Sequence, residues 1–392
     1  MNVVIKGPLL SVTGYGVHAR QVFSWAVSKG WNVSCMVVPW GICTYYLDAD
    51  AENGLIGEIQ QKTVPFPDHI KPDLSLQILL PDEWDPNLAR TNIGITAGVE
   101  SNFCSPNWVA ACHSMDHVIV PSKFTRQMFV STGVREDHIS AVPEAFTCGT
   151  KDTPEKREII KTIDSLPTKF NFLFFGQLTG MDPDSDRKNT FYGLKWMAEC
   201  FKDDPDVGIV LKTNSGRLTP IDRKHTKKIF EGLINEIRQG PGPTFYLCHG
   251  LMDGNEISGL YQAESIKALV APTRGEGWGL PILDAAVNGL PVIATNATGH
   301  MDFMKNVKFL TLDYDMIDVP PQKIDGRVWV QGTKWCHVRE ASFKKRVLKF
   351  RKSSRLPTEW AQEAAPKISE EFSLSSVMEE YNKVWENLTS DS

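Results

Sequence analysis

Residues 268–295, ALVAPTRGEGWGLPILDAAVNGLPVIAT, decide how this chain of 392 residues is read. The apolar run at 268–271 spells a buried strand. A glycine-rich turn holding Glu276 follows, then a helix opening at Pro281, then a second buried strand. Glu276 and Asp284 stand eight positions apart across that turn and helix start. Gly277 and Gly279 let the backbone come close to a ligand. A helix N-terminus adds N–H donors and the positive end of a dipole, which suits a diphosphate. Carboxylates accept hydrogen bonds from hydroxyl groups. A nucleotide sugar presents both demands at once.

The residues Glu276, Gly277, Trp278, Gly279, Leu280, Pro281, Ala285, Gly289, Pro291, Val292, Ile293 and Ala294 resemble the signature of retaining glycosyltransferases of family GT4. In that family an acid, seven residues and a second acid sit in a fixed glycine and proline frame; Asp284 stands where it usually has glutamate. The resemblance implies an α/β protein of the GT-B fold, with two Rossmann-like domains facing across a cleft. It implies transfer of a sugar from a UDP- or GDP-linked donor to an acceptor hydroxyl. No cofactor and no metal would be required, because N–H groups, a helix dipole and cations serve the diphosphate. Glu276 would hold sugar hydroxyls and Asp284 the ribose, with Gly277, Trp278, Gly279 and Leu280 in the donor-binding turn.

Around this unit the chain alternates strands and helices, the pattern of parallel sheets covered on both faces. The first series predicts strands at 2–5, 33–38, 74–79, 92–96, 117–120 and 139–142, with helices at 17–28 and 123–131. A polar stretch at 148–168 reads as a linker with some helix at 154–163. A second series follows, with strands at 170–175, 207–211 and 244–248 and helices at 191–200, 223–238 and 256–263. This divides the chain into an acceptor-side domain at 1–165, a nucleotide-sugar domain at 166–370 and a returning C-terminal helix at 371–392. Between 312 and 356 no clear repeat emerges.

Other residues gain meaning from these positions. Gly14-Tyr15-Gly16 follows the first strand and opens a helix, so its N–H groups can face an anion; tight-turn chemistry is the alternative. Arg187-Lys188 matches the family's cation group before a helix and would neutralise the diphosphate, while Gln177 replaces an arginine the family carries at a strand end. His249 closes another strand and either flanks the nucleotide base or caps the helix at Glu256. Glu100, with Tyr15, lies on the acceptor side, and Glu100 reads equally as a plain loop carboxylate. His18, just inside the first helix, reaches the cleft or caps. Asp182, Asp184 and Asp186 alternate without making a metal set.

Hydrophobic residues at 42% and charged residues at 23% are the proportions of a globular protein, and a net charge of −5 is too small to argue by itself for nucleic acid or a strongly charged substrate. No apolar run of membrane-spanning length occurs. The opening MNVVIKGPLLS reads as strand and loop rather than a signal peptide. Eight cysteines without a C-x-x-C pair suit reduced thiols and a cytoplasmic setting. Lys344, Lys345, Arg346, Lys349, Arg351, Lys352 and Arg355 form one basic run, either a solvated helix face or a contact for anionic lipid at the inner membrane surface or for a nucleic-acid acceptor. The expected partners are a nucleotide sugar and a carbohydrate or lipid-linked acceptor. A modified-DNA acceptor and a non-catalytic nucleotide-sugar-binding protein are the alternatives.

Overall fold

The structure, a computed structural model, describes residues 1–67, 69–176, 178, 182–214 and 216–390. Gln177 lies outside them. Two compact units form: Met1–Ala145 with Ile324–Thr333 and Glu371–Ser392, and Phe146–Lys323 with Lys334–Glu370.

The first unit holds strands β1 (Asn2–Gly7), β2 (Asn32–Val37), β3 (Leu74–Ile78), β4 (Thr91–Ile95), β5 (His117–Val120) and β6 (Ile139–Ala141). They pair in parallel in the order β2-β1-β3-β4-β5-β6. Its helices are α1 (Gly14–Ser28), α2 (Leu55–Gln61), α3 (Pro106–Ser114) and α4 (Lys123–Thr132). Helix α1 starts three residues before the predicted Val17, because the Thr13 side chain accepts the Gly16 N–H at 3.3 Å and caps it earlier. Val22, Phe23 and Ala26 then bury one helical face against the sheet.

The second unit holds α5 (Pro154–Asp164), β7 (Phe170–Phe175), α6 (Thr190–Cys200), β8 (Val207–Thr213), α7 (Pro220–Ile237), β9 (Thr244–His249) and α8 (Gly254–Gln262). It continues with β10 (Ile266–Ala271), α9 (Leu280–Val287), β11 (Val292–Thr295), α10 (Met301–Met304) and β12 (Leu310–Leu312). A hairpin of β13 (Tyr314–Asp318) and β14 (Lys334–Val338), then α11 (Glu340–Lys352) and α12 (Arg355–Glu371), complete it. Six parallel strands run β12-β11-β10-β7-β8-β9. The order reverses between β7 and β10, and open parallel sheets bind ligands beyond the strand ends at such a reversal.

Two boundaries differ from the sequence reading. The division falls after Ala145 rather than near 165, because α5 packs on α8. Gly259 permits that approach: a Cβ there would stand 2.7 Å from the Lys156 carbonyl oxygen. Residues 324–333, assigned above to the second half, belong to the first unit, where Arg327 bonds Asp82 at 2.5 Å and Glu83 at 2.7 Å. The last helix, α13 (Leu374–Ser390), also belongs to the first unit. Tyr381 stacks on Trp25 with centroids 5.0 Å apart, and Trp25 donates to Asn382 at 2.9 Å.

The basic run lies on α11, except Arg355, which opens α12, and part of it is committed to the fold. Lys344 pairs with Glu199 and Glu340, Arg346 donates to the Thr311 carbonyl, and Arg351 pairs with Asp204. Lys345, Lys349 and Lys352 are exposed. No helix among the described residues is long and apolar enough to cross a membrane.

Candidate functional site

Glu276 sits in the turn between β10 and α9, beyond the strand-order reversal of the second unit. It is 6% exposed, and its two oxygens receive Lys188 Nζ at 2.7 and 2.9 Å. Arg187 Nη1 lies 3.3 Å from the same carboxylate and also donates to the Gly275 carbonyl. Burial alone would raise the acid's pKa; Lys188 and Arg187 overcome that and hold it down at about 2. Two cations against one carboxylate leave a surplus positive charge, a setting that attracts anions. A small pocket adjoins the group, lined by Phe175, Leu269 and Ala271 at the strand ends, by Gly279, Pro281 and Ile282, and by Lys188, Thr273 and Glu276.

The turn takes its shape from two positions with positive φ. Gly279, at φ 103°, is the N-cap of α9, so the helix opens at Leu280, one residue before the predicted Pro281. Thr298, a β-branched residue at φ 75°, accepts the Glu276 N–H on its hydroxyl at 3.1 Å. Backbone strain of that kind costs of order 1–3 kcal/mol and collects where a neighbour must be held in place.

Other predicted residues have different surroundings. Asp284 is 3% exposed and its oxygens are engaged: Thr147 donates through N–H at 2.7 Å and hydroxyl at 2.5 Å, and the Cys148 N–H lies at 3.3 Å. These contacts tie α9 to the first residues of the second unit, in place of the open acceptor a ribose contact would need. Burial raises the Asp284 pKa against the pull of the Thr147 and Cys148 donors. Trp278 is buried and meets Phe303 edge-on at 5.0 Å, which makes it packing beneath the turn. Gly277 and Leu280 stay in the turn, with Gly277 buried and Leu280 half-buried.

His249 ends β9, half-buried, and its pKa is lowered by burial and by the charges of Lys212 and Arg223. The capping alternative fails. Asp253 caps α8 by accepting Asn255 and Glu256 N–H groups at 2.7 and 2.8 Å, and Glu256 returns a bond to the Asp253 N–H.

In the first unit, Gly14-Tyr15-Gly16 forms the first turn of α1, beyond the β1/β3 reversal of strand order. A Cβ on Gly16 would strike Ser11, whereas one on Gly14 would meet nothing within 4 Å. The Tyr15 hydroxyl lies 2.9 Å from Thr96 Oγ1 and accepts the Ala97 N–H at 3.1 Å, and its ring stacks on Trp40 at 4.3 Å. Burial raises its pKa. Glu100 is half-buried in the loop that follows. His18 faces inward rather than capping: it is 2% exposed and 2.8 Å from the Tyr381 hydroxyl.

Four supporting residues escaped the sequence reading. Thr273 bonds the Gly275 carbonyl at 3.0 Å, Thr298 holds the Glu276 amide, Arg274 grips the turn before Arg187, and His300 donates through Nε2 to the Thr295 carbonyl at 2.7 Å. No motif marks them, since each acts through contacts distant in sequence. The three alternating aspartates serve local structure: Asp182 caps a turn, Asp184 accepts from the Tyr192 hydroxyl, and Asp186 accepts the Lys188 and Thr190 N–H groups. Among the described residues no group of three His, Cys, Asp or Glu side chains is placed to hold a metal ion.

No protein-family model and no curated protein matches the sequence. Solved structures match over the whole chain. The Anabaena protein Alr3699/HepE in complex with UDP-glucose superposes with a TM-score of 0.65 at 12% identity, over 99% of this chain and 100% of that one. Sucrose-phosphate synthase from Thermosynechococcus elongatus gives 0.63 at 12% identity over 100% of both chains. A glycosyltransferase from Rickettsia africae ESF-5 gives 0.62 at 13%, over 100% of this chain and 99% of that one. The fold is therefore the α/β GT-B fold of those glycosyltransferases, built from two parallel six-stranded sheets with their helices.

Proposed function

We propose that the protein is a retaining glycosyltransferase of the GT4 kind, moving a hexose from a nucleoside diphosphate donor to an acceptor hydroxyl in polysaccharide or glycoconjugate synthesis. The observation that carries this reading is the Glu276–Lys188–Arg187 group beside a pocket at the sheet's reversal point. The neighbouring fold that holds UDP-glucose supports a UDP-linked donor. Lys188 and Arg187 supply the charge that a departing diphosphate needs, and such stabilisation is commonly the largest catalytic effect. Glu276 would exchange part of its bonding with Lys188 for the sugar hydroxyls. The diphosphate leaves from the face on which the acceptor enters and takes the acceptor proton. His249 would flank the base, Gly14 and Gly16 the phosphates, and Tyr15 and Glu100 the acceptor. No metal or cofactor enters this scheme. Asp284 would act indirectly, through the backbone at Thr147 and Cys148.

A thermal-shift panel of nucleotide sugars tests the reading, because a ligand that binds only the folded state raises its melting temperature. UDP- or GDP-sugars should stabilise the chain, and an acceptor screen should release the nucleoside diphosphate. Stabilisation without any release would favour a binding protein over an enzyme. No response to any nucleotide sugar would defeat both.

A further inference from the structure

Arg274 carries its charge into the interior behind the site. Its side chain is fully buried, and its ion-pair partner among the described residues, Asp184 at 3.8 Å, is itself 58% exposed. Removing a guanidinium from water costs several kcal/mol (roughly, by continuum reasoning), and a packed apolar side chain of similar volume often serves a core better. Two of its nitrogens, Nε and Nη2, have no hydrogen-bond partner among the described residues. The third nitrogen explains the cost. Nη1 donates to the carbonyls of Pro183 at 3.2 Å, of Asp186 at 2.9 Å and of Asp184, while Tyr192 and Trp335 flank the group at 5.9 and 5.5 Å.

The backbone of the same residue continues the grip. Arg274 N–H donates to the Arg187 carbonyl at 2.8 Å, and its carbonyl is fixed by the Cys336 N–H at 3.0 Å. Asp186, whose carbonyl Arg274 holds, accepts the Lys188 N–H at 2.9 Å and the Thr190 N–H at 2.5 Å. The buried guanidinium and the Asp186 carboxylate thus bond the backbone of one turn at Pro183, Asp184, Asp186, Lys188 and Thr190, the turn that carries both cations.

We propose that Arg274 is a positioning residue that holds Arg187 and Lys188 at the spacing of a diphosphate, an inference that rests on the donor reading above. It touches neither the sugar nor the phosphates. Its loss should weaken recognition of the diphosphate and leave recognition of the nucleoside alone.

The test uses R274K, which keeps the charge but ends one bond short of the Nη1 position that meets the three carbonyls, R274M, which removes it, and D186N, which loosens the same turn at Asp186. Affinities for UDP, GDP and ADP are compared with those for uridine, guanosine and adenosine, alongside amide exchange at Lys188 and Thr190. Each variant should lose roughly tenfold or more in affinity for the preferred diphosphate, with nucleoside affinity held and exchange at both amides faster. If R274M does not fold, R274K and D186N decide the matter. Unchanged exchange with unchanged diphosphate affinity overturns the proposal, and so does an equal loss for nucleoside and diphosphate. A wild-type chain that binds none of the three diphosphates sinks the donor reading itself, and this proposal with it.

Discussion

Lys188 Nζ reaches both oxygens of Glu276, at 2.7 and 2.9 Å, so acid and cation satisfy each other. Removing one partner therefore frees the other, and the two removals should behave oppositely. E276Q should lower sugar transfer by about 100-fold or more, the scale of losing one group that meets the transition state. The same variant should bind the bare nucleoside diphosphate at least as well as wild type, because Lys188 no longer has an anion beside it. K188A should lose both transfer and diphosphate affinity. Calorimetric titration beside single-turnover assays separates the outcomes. Tighter diphosphate binding in K188A would contradict the assignment.

The glycines of the two halves call for different substitutions. Gly279 has φ 103° and its Cβ would come within 3.2 Å of His300 Cβ, so G279A should cost about 1–3 kcal/mol. Gly14 has ordinary helical backbone and open space where a Cβ would go, so G14A should leave stability within about 0.5 kcal/mol. Urea denaturation compares the two. If G14A also weakens donor binding at unchanged stability, the open space over Gly14 is occupied by ligand.

The parallel sheets were readable because their strands are unbroken apolar runs: Phe172, Leu173 and Phe174 have both faces covered, and such runs cannot be loops. Glu276 was readable because phosphate and hydroxyl chemistry both need that turn. The boundary at Ala145 was not, since PEKREIIKTID looks like a linker until Gly259 lets it dock on α8. Arg327 finds Asp82 and Glu83 across 245 and 244 residues, and Asp284 finds Thr147 across 137. Pairings at such separations leave no local periodicity. Asp284 shows the consequence best: its place in a motif named it a ligand contact, and only the fold reveals that both its oxygens accept donors from Thr147 and Cys148.

The acid Glu144 gives the first unit a pH dependence of definite sign. It is 5% exposed, one oxygen has no hydrogen-bond partner among the described residues, and burial pushes its pKa from 4.5 up to about 8. His18 Nδ1 is 3.9 Å away, but burial lowers that imidazole to about 4, so at neutral pH the two are not an ion pair. Between about pH 4.5 and 8 the folded chain keeps a proton on Glu144 that the unfolded chain has released. Stability from this group is thus complete below the lower value and is lost as pH rises through the upper one. E144Q has the same shape and no proton to lose. Its advantage over wild type should be small at pH 4.5 and grow to roughly 2–4 kcal/mol by pH 8. His18 titrates in both proteins and cancels in the difference. Denaturant midpoints at pH 5, 6.5 and 8 (about evenly spaced across the window) measure the gap, and parallel profiles would show that Glu144 is ionised in the folded state.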